Sequence, residues 1–173
     1  MRRLETLDED VVKVVFMYQF IFLIVGFVVF LIYLNNKNDG WLIKGVPAEF
    51  VSFLHMLGAK VDLDGGGRYT TPLIEAVDAK DFAKIEILLR NGADINKVTK
   101  FGTALSWAAS YCDTKMLEFL ITKGANIDKT SSNLTNPALP ALQAAINRRN
   151  LENVKFLLDK GAKTDNINGL EGP

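Results

Sequence analysis

Apolar residues recur at helical spacing in three stretches of the chain: Phe82, Ile85, Leu88 and Leu89; Met116, Phe119 and Leu120; Leu151, Val154, Leu157 and Leu158. Spacing of i, i+3, i+4 lays such residues along one stripe of a helix. Each stripe stops at a Gly-Ala pair (Gly92-Ala93, Gly124-Ala125, Gly161-Ala162), and an extended polar segment follows. A weaker copy with Phe53, Leu54 and Leu57 stops at Gly58-Ala59. Glycine takes the left-handed conformation at a helix end without Cβ strain. The four glycines stand 34, 32 and 37 residues apart. Twenty-one residues before each of the last three begins a shorter run of small and apolar residues: Thr71-Pro72-Leu73, Thr103-Ala104-Leu105 and Pro140-Ala141-Leu142. Polar breaks at Lys80-Asp81, Cys112-Asp113 and Arg149-Asn150 divide the two runs of each unit. The pattern predicts an all-α stack of two-helix units.

The N-terminus follows a different pattern. Val14–Leu34 carries no charge and one strongly polar side chain, Gln19. As a helix it spans roughly 30 Å, the thickness of a hydrocarbon core. Tyr18, Tyr33 and Trp41 mark its ends, where amphipathic rings favour a membrane interface. A buried core helix would show a polar face. A cleaved signal peptide fits poorly, because the run is long, Glu5, Asp8, Glu9 and Asp10 precede it, and Leu34–Asn38 lacks a small-x-small site. An uncleaved signal anchor is the better reading. Arg2, Arg3 and Lys13 against Lys37 and Lys44 lean toward a cytoplasmic N-terminus and an external bulk. The expected divisions are a tail (1–13), a transmembrane helix (14–34), a juxtamembrane linker (35–46), a repeat domain (47–165) and a C-terminal tail (166–173). So short a linker holds the domain near the bilayer.

Composition adds mainly exclusions. Twenty basic and twenty acidic residues balance, so no global field draws the chain to nucleic acid. The single cysteine, Cys112, cannot close an internal disulfide. His55, the one histidine, sits in an apolar helix and suits packing or the surface better than catalysis. Cys112 has no second thiol and no histidine near it in sequence to make a nucleophile or metal site. Asp64–Arg68 is Gly-rich without the G-K-[ST] ending of a phosphate loop, and reads as a turn tip. Asn133-Leu134-Thr135 matches a glycosylation sequon, meaningful only in a eukaryotic secretory pathway. Gly26 has no small partner four residues away to make a G-x-x-x-G face. No catalytic set, metal site, cofactor or small-molecule substrate is evident.

A period near 33, with T-P-L near the start of a unit and G-A-D near its end, resembles the ankyrin-repeat family from about Val46 to Asp165. The resemblance implies an all-α solenoid of about three full repeats plus an N-terminal half-repeat. Two departures stand out. Ile74, Ser106 and Gln143 replace the usual histidine after T-P-L, and Lys80, Cys112 and Arg149 replace the usual inter-helix glycine. The second departure should strain those turns or shift their geometry.

Partners of the family usually dock on the concave face, made of turn tips and first helices. Carried over by alignment, that face holds Tyr69, Glu75, Asp78, Phe101, Trp107, Ser110, Tyr111, Asn147 and Arg148. Thr130–Leu139, which contains the extra residues of the last unit, falls among the turn tips. Large aromatics with a polar handle dominate interface energetics, which singles out Tyr69, Phe101, Trp107 and Tyr111. Phe101 and Trp107 could instead pack between repeats. The layout resembles bacterial immunity proteins that neutralise a toxic effector, such as a type VI secretion lipase, at the membrane. The expected protein is a non-enzymatic binding module in the bacterial inner membrane with its repeats on the periplasmic side. A scaffold that recruits a partner protein to the membrane is the alternative.

Overall fold

The computed structural model describes residues 9–37, 41–62, 71–99, 101–130 and 139–165. The described residues form the helices α1 (Glu9–Lys37), α2 (Trp41–Gly45), α3 (Ala48–Met56), α4 (Pro72–Asp78), α5 (Phe82–Arg90), α6 (Ala104–Tyr111), α7 (Thr114–Thr122), α8 (Ala141–Asn147) and α9 (Leu151–Asp159). Among them no strand forms, and the one bridge joins Thr99 to Gly102. The fold is all-α.

Within each unit two helices pack as an antiparallel pair: α4 with α5, α6 with α7, and α8 with α9. The first helices α2, α4, α6 and α8 make one row, and α3, α5, α7 and α9 make the other. Small residues explain the close first row, because Ala76, Ala108, Ala109, Ala144 and Ala145 are buried where it packs. Between the rows lie Leu73, Val77, Ile85, Leu88, Leu105, Met116, Leu117, Leu120, Leu142 and Leu157, nearly all inaccessible to water.

The helix stops form as expected. Gly58, Gly92, Gly124 and Gly161 have φ between 85° and 98°, and the following alanine N–H donates back to Leu54, Leu88, Leu120 and Leu157. The turns lacking the family glycine divide into two kinds. Lys80 and Arg149 take left-handed φ of 54° and 57°, a strained region for a residue with a Cβ. Cys112 avoids it, staying extended at φ −108° while α6 runs one residue further, to Tyr111. The sequence anticipated strain or a shift, and both occur.

N-terminal capping follows local chemistry. Thr71, Asp81, Thr103, Asp113 and Asn150 each accept from the backbone N–H three residues on. Ser106, at a position the family gives to histidine, completes a capping box with Thr103.

α1 is long and apolar enough over Lys13–Leu34 to cross a membrane. From Val14 to Phe27 it stands exposed; lower down, Val28 is half-buried and Ile32 buried where the helix packs on α2. The stretch 35–46, expected as a linker, thus contains a helix, and Ile43 of that helix is completely buried. α2 and α3 together make an abbreviated first unit. Tyr18 and Tyr33 are exposed, about 22 Å apart along the helix. Trp41 opens α2, and its side chain lies outside the described set.

Candidate protein-binding surface

The first-helix row presents a run of side chains that crosses three units. At its centre Trp107, on α6, is half-buried against the core and donates its indole N–H to Asp78 Oδ1 of the preceding unit at 3.1 Å. Tyr111, one helical turn on, lies beside it with ring centroids 4.7 Å apart and a 42° tilt. Phe101 meets the other side of Trp107 edge-on at 6.1 Å. From the next unit the Arg148 guanidinium stacks 4.5 Å from the Tyr111 ring centroid and donates to its hydroxyl. Asp78, Trp107, Tyr111 and Arg148 therefore form one ladder with a carboxylate at one end and a guanidinium at the other. Tyr111 and Phe101 remain half exposed.

The extra helical residue in α6 helps make this ladder. Tyr111 aligns with Ala79 and Arg148, which lie just past the ends of α4 and α8. Because Cys112 stays extended, Tyr111 continues the helix in register with Trp107.

The remaining candidates are placed apart from the ladder. Glu75 is engaged by Lys44 at 3.2 Å, which ties α4 to α2. Ser110 returns its hydroxyl to the Ser106 carbonyl at 3.1 Å. Asn147 Oδ1 accepts from Gln143 Nε2 at 2.8 Å. Tyr69, the turn tip 64–69, the sequon and most of the Thr130–Leu139 insertion lie outside the described residues. Trp107 packs against the core and stays partly exposed.

Sequence patterning did not reveal the polar braces beneath this face. Lys84, buried on α5, donates from Nζ to the Lys44 and Val46 carbonyls, both at 2.7 Å. The aligned Asn153 on α9 donates to the Ala109 and Cys112 carbonyls at 3.0 and 2.9 Å. Met116 fills the same position in the middle unit. Burial pushes the Lys84 pKa down, against the pull of Asp81 and Glu75. Burial likewise pushes the Cys112 thiol up, which leaves little reactive thiolate. Among the described residues no group of His, Cys, Asp or Glu could hold a metal ion.

Exposed ion pairs also join the units, two of which shift their carboxyls. Lys80 meets Asp113 at 2.9 Å and Lys123 meets Glu86 at 2.6 Å. Hydrogen bonds from these lysines hold the Asp113 and Glu86 carboxyls below their ordinary values of 3.8 and 4.5. A carboxyl depressed in the folded state adds stability above its unfolded pKa, and loses it as pH falls through the folded value. Urea midpoints should therefore begin to drop below pH 4.5, modestly because the pairs are solvated. Replacing Lys80 and Lys123 with methionine should flatten that acid limb. An unchanged limb would show that the pairs contribute nothing.

A family model described as ankyrin repeats (3 copies) matches over two overlapping ranges, residues 42–131 and 73–168. No curated protein matches the chain. The match spans most of the chain and coincides with the two rows of helices described above. With its unit spacing, glycine stops and paired helices, the chain belongs to the ankyrin-repeat family, whose repeats are protein–protein interaction modules.

Proposed function

We propose that this protein is a non-enzymatic, membrane-anchored module that holds another protein on the first-helix face of its repeats. In this reading residues 14–34 cross the bilayer and the repeats of residues 47–165 bind. The observation that carries it is the ladder from Asp78 through Trp107 and Tyr111 to Arg148. Aromatic and arginine side chains set in a braced, partly desolvated array are the residues on which binding energy concentrates. Internal pairing also preorganises them, so little side-chain entropy remains to be lost on docking. Tyr111→Ala should weaken the partner complex at least about tenfold with little change in melting temperature. Trp107→Ala should weaken it too, but at a cost in stability, since the indole packs against the core. Calorimetric titration of both variants beside their melting curves is the check. Unchanged affinity for Tyr111→Ala would remove the ladder from the interface.

The role that best fits this layout is inhibition of a toxic effector that acts at the membrane. What supports it is a stack packed directly on the end of the apolar helix. On this reading the repeats face the periplasm of a bacterial inner membrane. A reporter fused after Pro173, active on one side only, tests the orientation. Deletion of the protein should sensitise cells to a toxin encoded nearby. A stable complex with no toxicity phenotype would favour the recruiting scaffold instead.

A further inference from the structure

Every repeat stack has two end units, each with one face that no neighbour covers. The register of the second helices identifies which α3 residues lie on the face where an earlier unit would pack. Aligned on Gly58 and Gly92, Phe50 takes the place of Lys84, Phe53 that of Ile87, and Leu57 that of Asn91. In the later units these three positions reach backwards. Lys84 and Asn153 donate to carbonyls of the unit before. Phe119, the counterpart of Phe53, meets Phe82 of the unit before edge-on at 4.9 Å. Asn91, Lys123 and Lys160 bond to Ser52, Glu86 and Glu118 respectively.

Among the described residues no earlier repeat packs against these positions of α3. They are apolar all the same, with Phe50 57%, Phe53 51% and Leu57 42% exposed. A cap that faces water carries polar residues here. The chain itself indicates what lies on this side, because α1 leads into it. α1 packs on α2, and the core to which its buried Ile32 belongs also covers part of Val28, six residues inside the apolar run that ends at Leu34. Six helical residues are about 9 Å, so the first unit overlaps the end of the run instead of hanging below it.

We propose that the bilayer itself caps this end of the stack, with Phe50, Phe53 and Leu57 resting at the boundary between headgroups and acyl chains. The inference rests on reading α1 as a membrane span. Amphipathic helices bury their apolar face about 5–10 Å into that boundary, which is the depth the overlap with α1 supplies. An abbreviated first unit then suffices, because lipid takes the place of the missing neighbour. The exposed polar residues Ser52 and His55 of α3 are instead hydrogen-bonded within the stack, Ser52 to Asn91 and His55 to the Ala59 carbonyl.

The test uses the full chain, with Cys112→Ala, reconstituted in phosphatidylcholine–phosphatidylglycerol nanodiscs. Spin labels are placed singly through Phe53→Cys, Phe50→Cys, Phe22→Cys and Lys115→Cys. Collision with oxygen, which concentrates in lipid, is compared with collision with a water-soluble nickel chelate. Labels at 50 and 53 should favour oxygen several-fold over the label at 115, and less strongly than the label at 22. If 22 reports lipid while 50 and 53 match 115, the lipid cap is wrong and the span stands. If 50 and 53 are shielded from both reagents, protein covers the face and the proposal fails. If 22 also reports water, the span reading fails first.

Discussion

Leu120→Ala is expected to cost about 2–5 kcal/mol and to loosen the whole stack as one unit. Leu120 is completely buried in the middle repeat, where α7 faces α6 and the neighbouring units rest on the pair. In a one-dimensional stack each unit contacts only the units beside it, so a cavity in the middle weakens two interfaces together. Leu157 holds the aligned position in the last unit and is just as buried. Its truncation should act differently. Among the described residues no further unit packs on α9, and Leu151 and Leu158 are already exposed on it. Leu157→Ala should therefore open α8 and α9 ahead of the rest. Urea denaturation followed by hydrogen exchange separates the cases: uniform loss of protection for Leu120→Ala, and loss confined to the last unit for Leu157→Ala. Identical exchange patterns would mean that the repeats melt as an indivisible block.

Gly102→Ala should lower stability by about 2–3 kcal/mol, or roughly 10 °C in Tm. Gly102 has φ of 101° and exchanges backbone hydrogen bonds with Thr99 at 2.9 and 3.0 Å. A Cβ there would collide with the Ser106 hydroxyl. That hydroxyl accepts from the Thr103 N–H at 2.7 Å and so closes the capping box of α6. The added methyl thus imposes backbone strain and also displaces a cap. Gly92 and Gly124 share the positive φ but have open space where a Cβ would sit. Alanine there should cost only the conformational term, about 1 kcal/mol. Comparable melting shifts at 102 and 124 would show that the contact with Ser106 is relieved by small movements.

Most of the fold could be read from the chain because repetition averages out local ambiguity. One Gly-Ala pair is a weak signal, whereas four at near-constant spacing align every residue between them. The resemblance to ankyrin repeats, carried over through that alignment, puts Trp107, Tyr111 and Arg148 on one face. Their direct contact was not legible, since Tyr111 and Arg148 are 37 residues apart and their meeting depends on the turn that Cys112 adopts. The roles of Lys84 and Asn153 are not legible in the chain for a related reason. A lysine or an asparagine beside an apolar stripe reads as a solvent-facing position, and only the folded neighbour supplies the carbonyls that satisfy it. The helix Trp41–Gly45 was hidden by its brevity: five residues carry too little periodicity to stand out from a linker.

Those two buried donors have a consequence for how the stack is put together. Lys84 finds its acceptors at residues 44 and 46, and Asn153 finds its acceptors at 109 and 112. All four bonds point toward earlier chain. As synthesis proceeds from the N-terminus, each donor leaves the ribosome after its acceptors have already been made. Neither unit has to wait with a buried polar group unanswered for a segment still to come. The repeats can therefore be laid down in order, each closing onto finished work, beginning at the end tied to α1.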